Sequence, residues 1–232
     1  MSIKYTYYDD EDKEVVRSKT ERYDNATVKS YVEFESDGKT VKAVYEGGIN
    51  GRGKAEEYFE GKKIAIYDVR FTGQHNSLEG REQLPDFWSC YSSLGEINGE
   101  FRFYHLNGRL SHQGSAKDGK LNGTCISYYE NGQKRVALKY KDGQVVDGEY
   151  KVYRDNGELK ERICYRKGQA NGYYVSYHKG GKISEQTHCV DGKKDGEYTR
   201  FDRKGKRIHE GIYQKGERTI INRYNGFKEK DR

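Results

Sequence analysis

The sequence predicts an all-β fold, an elongated single-layer antiparallel sheet of stacked β-hairpin repeats, and three observations predict it. From residue 98 the chain repeats itself every 24 or 25 residues, glycines recur at fixed places in each repeat, and 22 Tyr stand in a chain of 232 residues poor in aliphatic side chains. Scarce aliphatics with 34% charged residues ordinarily describe a disordered chain. Tyrosine reverses that reading, because its ring buries area on a thin structure while its hydroxyl stays wet.

The regular repeats begin at residues 98, 122, 147, 171 and 195. Gly99, Gly123, Gly148, Gly172 and Gly196 open them. Gly108, Gly132, Gly157, Gly181 and Gly205 follow nine residues later, and Gly119, Gly143, Gly168, Gly192 and Gly216 eleven residues after that. Asn-Gly and Asp-Gly dominate these places and supply the positive φ angles of tight hairpin turns. Each repeat therefore reads strand, turn, strand, turn. In the first strand Tyr104, Tyr128, Tyr153, Tyr177 and Phe201 stand five residues after the opening glycine. Phe101, Cys125, Tyr150, Tyr174 and Tyr198 stand two after it. Strand alternation sends these two columns to opposite faces. In the second strand Val136, Leu138 and Tyr140 alternate with Arg135, Ala137 and Lys139, one apolar face and one largely charged face.

The same rhythm, degraded, runs through residues 27–73, and the atypical start suits a cap that shields the terminal edge from other chains. The organisation expected is 1–73 as degenerate N-terminal repeats and cap, 74–97 as an irregular insertion, 98–218 as five regular repeats, and 219–232 as a basic tail. Pro85 and Trp88, the single residues of their kinds, both lie in the insertion.

The repeats resemble MORN-type repeats, in particular the variant found in bacterial proteins of the YwqK antitoxin family. The resemblance is carried by segments such as NGEFRFYHLNG, NGTCISYYENG, DGEYKVYRDNG and QKRVALKYKDG. It is clear over 98–218, weaker over 27–73 and absent over 74–94. It implies an elongated sheet of hairpins and a binding role, since proteins with such repeats are linked to membrane phospholipids, protein scaffolding and toxin neutralisation.

Motifs for chemistry are missing. Cys90, Cys125, Cys164 and Cys189 form no CxxC pair, and the histidines at equivalent repeat positions, His105 with His178 and His112 with His209, alternate with Tyr129, Arg154, Val136, Glu161 and Glu185. No metal column results. Asp37-Gly38-Lys39-Thr40 ends like a phosphate loop, but Glu33 stands where the first glycine is required. The reading is a hairpin turn. No GxSxG is present. The sequence predicts no catalytic residue, no metal and no cofactor, hence a protein that is not an enzyme. The start MSIKYTYYDDEDKE lacks the apolar region of a secretory signal, and no apolar run has membrane-spanning length, so the expected location is cytoplasmic.

Function is then expected in binding. Rings held at repeat spacing are natural contact anchors, and Tyr104, Tyr128, Tyr153, Tyr177 and Trp88 are the candidate protein-binding residues. The expected partner is a protein, in an antitoxin-like or scaffolding role. The alternative is an anionic phospholipid or nucleic acid, because residues 98–232 hold 29 Lys and Arg against 18 Asp and Glu, whereas residues 1–97 hold 14 against 19.

Overall fold

The computed structural model describes residues 2–7, 16–22, 28–34, 41–48, 52–59, 61–71, 91–92 and 95–224. Among these the secondary structure is all strand, arranged antiparallel, as the hairpin repeats require. Trp88, Pro85, Cys90, His75 and the turn at 37–40 lie outside the described residues. The chain divides into two units, Met1–Cys125 and Ile126–Arg232.

The first unit is an antiparallel meander. β1 (Ser2–Tyr7), β2 (Val16–Arg22), β3 (Val28–Phe34), β4 (Val41–Gly47), β5 (Arg52–Phe59) and β6 (Lys62–Phe71) pair each with the next. The short β7 (Tyr91–Ser92) and β6 both pair with β8 (Gly95–Tyr104), followed by β9 (Leu110–Lys117) and β10 (Lys120–Leu121). The described strands between residues 28 and 71 thus pair as an antiparallel ladder. Tyr45, Ala55, Val69, Ile97, Phe101 and Cys125 are all at most 2% exposed and form the buried side. A Cβ at Gly114 would stand 2.5 Å from Cys125 Sγ and 2.9 Å from Phe101 Cζ, so this glycine makes room for its neighbours.

The boundary between the units falls within β11 (Gly123–Tyr128). The second unit continues with β12 (Lys134–Lys141), β13 (Gln144–Val145), β14 (Gly148–Tyr153), β15 (Leu159–Arg166), β16 (Gln169–Tyr177), β17 (Ile183–Val190), β18 (Lys193–Lys194), β19 (Gly196–Phe201), β20 (Arg207–Gln214) and β21 (Glu217–Arg223). Each pairs antiparallel with its successor across a hairpin or, past the short β13 and β18, directly.

Two different turns alternate. At the Asp-Gly and Lys-Gly pairs both central residues have positive φ, for example 50° at Asp142 and 84° at Gly143, the type I′ geometry whose twist matches that of the flanking strands. At the other end of each hairpin a longer loop closes on a left-handed glycine. Gly157 N–H donates to the Arg154 carbonyl at 2.9 Å, Arg154 N–H to the Glu158 carbonyl at 2.8 Å, and Asn156 Oδ1 accepts from Glu158 N–H at 3.0 Å. The asparagine in this loop is therefore chosen for its side-chain acceptor as much as for its turn propensity.

Alternation separates an inner from an outer face. In β12, Val136, Leu138 and Tyr140 are 5–7% exposed while Lys139 and Lys141 are exposed. The inner rings cover one another: Tyr198 and Tyr213 meet at 4.9 Å between centroids, and Tyr150 meets Tyr165 edge-on at 5.6 Å. Loss of Tyr198 removes one of these pairs, so Tyr198→Ala is expected to destabilise the second unit by about 3–5 kcal/mol. Lys167 sits at φ 51° where three of the other repeats carry aspartate, and asparagine tolerates that region better. Lys167→Asn is expected to raise the denaturation midpoint, with a gain of roughly 0.5–1 kcal/mol in chemical unfolding; an unchanged or lowered midpoint contradicts the strain assigned to this turn.

Candidate partner-binding surface

Successive repeats are joined by more than the ladder. Tyr129, Arg154 and His178 occupy the position directly after the aromatic that ends the first strand, and each reaches the carbonyl of that aromatic in the next repeat. Tyr129 Oη donates to the Tyr153 carbonyl at 2.8 Å, Arg154 Nη2 to the Tyr177 carbonyl at 2.6 Å, and His178 Nε2 lies 2.8 Å from the Phe201 carbonyl. A carbonyl only accepts, so His178 carries its proton on Nε2. The position needs a long donor rather than a particular side chain, which explains why histidine, arginine and tyrosine alternate there. At the opposite end Asp147 Oδ1 accepts from Lys167 N–H at 2.8 Å and Asp195 Oδ2 from Lys215 N–H at 3.0 Å.

The inner face holds one polar knot. Glu185, with its side chain 8% exposed, meets Lys194 Nζ at 2.5 Å, Arg200 Nε at 3.5 Å and Tyr213 Oη at 3.3 Å. Lys194 also stands 4.3 Å from the Tyr174 ring centroid and 5.3 Å from that of Tyr213. Burial, helped by the Glu185 charge, pushes the Tyr213 phenol up to about 12, and burial raises Tyr174 as well. Every member of this knot has its partner inside it, so it ties strands rather than offering a site. Lys194→Met leaves Glu185 with Arg200 and Tyr213 alone, and a loss of about 1–3 kcal/mol is expected in chemical unfolding.

The predicted aromatic column falls on the outer face, and its members are half-buried. Lys134 Nζ stands 5.3 Å from the Tyr153 ring centroid. Tyr177 interacts with the guanidinium of Arg162. Tyr104, with Lys62, Lys63, Leu106 and Asn107, lines a groove of about 440 Å³ in the first unit, where Leu106 is 52% exposed. Tyr128 is half-buried. In the second unit these rings stand one per repeat, and basic side chains lie against Tyr153 and Tyr177.

A different outer position is more open. Tyr173 is 59% exposed, the one aromatic among the large exposed apolar residues described, and its ring packs on His188 with centroids 4.5 Å apart. Val190 and Ile212, 47% and 36% exposed, stand outward on β17 and β20. Beside Tyr173 lies a recess of about 550 Å³ lined by Asp147, Glu149, Cys164, Arg166 and His188. Tyr173 falls outside the recurring aromatic columns because it sits one residue after the opening glycine, where the other regular repeats hold Glu100, Thr124, Glu149 and Glu197. An aromatic at a column otherwise polar was the signal.

The MORN repeat variant, as a family model, matches residues 121–142 and 146–167. These two segments of the chain are MORN-variant repeats. No curated protein matches it. The matched segments run over β10–β12 and from the end of β13 to the turn after β15, so each encloses one hairpin closed by the longer glycine loop and stops at the first residue of a type I′ turn, Asp142 or Lys167. Among the described residues no cluster of His, Cys, Asp or Glu has the arrangement of a metal site, and no helix is long and apolar enough to cross a membrane.

Acid sensitivity follows from the turns and the outer ion pairs. Backbone amides of Lys206, Lys204 and Gly205 hold the Asp202 carboxyl below its ordinary value, and the Arg162 guanidinium does the same for Glu149. A carboxylate lowered in the folded state adds stability that is complete above its unfolded value, about 4, and is lost as pH falls through the folded value. Melting temperatures are therefore expected to be flat near neutrality and to decline below about pH 4. In Asp202→Asn, which keeps the acceptor for the turn amides, that decline should be shallower.

Proposed function

We propose that this protein is a non-catalytic, cytoplasmic binding scaffold whose outer sheet face in the second unit holds a protein partner, with toxin neutralisation as one form of that role. The observation that carries this reading is the set of exposed apolar side chains, Tyr173, Val190 and Ile212, at outward positions of β16, β17 and β20. Exposed aromatics on rigid scaffolds are the residues that dominate interface energies. Rigidity comes from the repeat: each strand is paired and each turn is internally bonded, so little ordering cost is paid on association. The kinship with MORN-variant repeats supports a binding role in general, without naming the bound molecule.

The test is capture from the native cell by the intact chain and by Tyr173→Ala and Ile212→Asp. Both substitutions are at exposed positions, and Tyr173→Ala is expected to shift stability by less than about 0.5 kcal/mol. A protein recovered in stoichiometric amount by the unaltered chain and lost from both variants is the expected result. Equal capture by all three moves the binding surface elsewhere, and recovery of no stoichiometric protein counts against a protein partner altogether.

A further inference from the structure

We propose that the partner segment is acidic next to an apolar or aromatic anchor; this rests on the reading that the outer face of the second unit is the binding surface. That face is divided into two halves. On β12, β14 and β15 the outward residues include Lys139, Lys141, Lys151 and Arg166, all exposed. The acidic residue among them, Glu149, is already engaged by Arg162, with contacts of 3.0 and 2.5 Å. Lys139, Lys141 and Arg166 face solvent on this half, beside Lys151, whose charge also acts on Glu149. On β16, β17 and β20 the outward residues include Tyr173, Val175, His188, Val190 and Ile212.

The halves adjoin. Arg162 stands opposite Val175 in the ladder and Tyr173 opposite His188, so the change from cationic to apolar takes place across the β15–β16 pair. The recess beside Tyr173 is lined by Arg166 and His188 together with Asp147 and Glu149, whose carboxylates are already engaged by the Lys167 amide and by Arg162. A ligand that fills the recess with a ring or branched side chain therefore brings its neighbouring residues over Arg166, Lys151 and the β12 lysines. Carboxylates roughly 5–15 Å from the anchor, one to three strand spacings away, meet these cations. The two halves act on different parts of the association. Exposed cations steer encounter and its salt dependence, whereas the desolvated anchor sets how long the complex lasts.

Two other anionic partners match less well. An anionic bilayer would meet exposed Glu197 directly beside Ile212, to which it is paired in the ladder, so the apolar half cannot approach lipid without a repelling charge. Single-stranded nucleic acid is held by successive stacking rings. Tyr173 is alone among the described aromatics in this degree of exposure.

The test uses three short labelled peptides against the full chain, read by fluorescence anisotropy at low and high salt. One has a glutamate block followed by tryptophan and leucine, one has the same apolar block preceded by lysines, and one has the glutamate block followed by serines. The acidic–apolar peptide is expected to bind about tenfold or more tightly than either of the others. Lys139→Glu with Lys151→Glu should slow its association and flatten the salt dependence, and Tyr173→Ala should speed its dissociation. Equal or tighter binding of the lysine–apolar peptide overturns the inference. So does tighter binding of phosphatidylserine vesicles or oligothymidine through the same lysines. If Tyr173→Ala abolishes capture of the native partner while the peptides show no preference for acid, only the partner's chemistry is wrong; if capture survives Tyr173→Ala, the binding surface itself is wrong.

Discussion

A hairpin exposes too much of its backbone and too many of its rings to persist alone, and everything in this protein follows from how that deficit is met. The antiparallel ladder supplies each strand with a neighbour, and side chains on one face then cover those of the next hairpin. Because aliphatic residues are few, rings do most of this covering. Tyr198 with Tyr213 and Tyr150 with Tyr165 are the same contact made in different repeats. Their hydroxyls find acceptors within the thin sheet, Tyr150 Oη donating to the Val146 carbonyl at 2.7 Å and Tyr213 Oη to Glu185 at 3.3 Å, which is why tyrosine serves here where leucine would serve in a deeper core.

The need for identical neighbours also explains where variation is allowed. Gly114 and Gly211 occupy the repeat position filled by Leu138, Ile163 and Thr187 elsewhere. In the second unit a Cβ at Gly211 would stand 2.0 Å from the Thr219 carbonyl oxygen, so the loss of a side chain admits the close approach of β21. The position following the terminal aromatic accepts any long donor, as Tyr129, Arg154 and His178 demonstrate. Outer positions carry no such demand. They are free to differ from repeat to repeat, and it is there that Tyr173, Val190 and Ile212 break the charged pattern.

The ladder also accounts for the most suggestive polar cluster. Glu185, Lys194, Arg200 and Tyr213 converge as catalytic groups would, but their polar contacts are spent on one another and they hold four strands, β17 to β20, together. Half-buried charges of this sort fix register, since a slip of one residue would leave Glu185 facing the wrong side.

Period, turn positions, strand alternation and the all-β class were legible in the sequence because each depends on residues close together in the chain: a glycine admits positive φ, and parity sends alternate side chains to opposite faces. The MORN-variant kinship was legible for the same reason. Which rings stay open to solvent was not. The column of Tyr104, Tyr128, Tyr153 and Tyr177 was found by its period, yet Lys134 lies against Tyr153 from a neighbouring hairpin, a contact set by packing between repeats. Tyr173 escaped notice because periodicity finds what recurs, and exposure is decided by what the adjacent strands place beside a side chain.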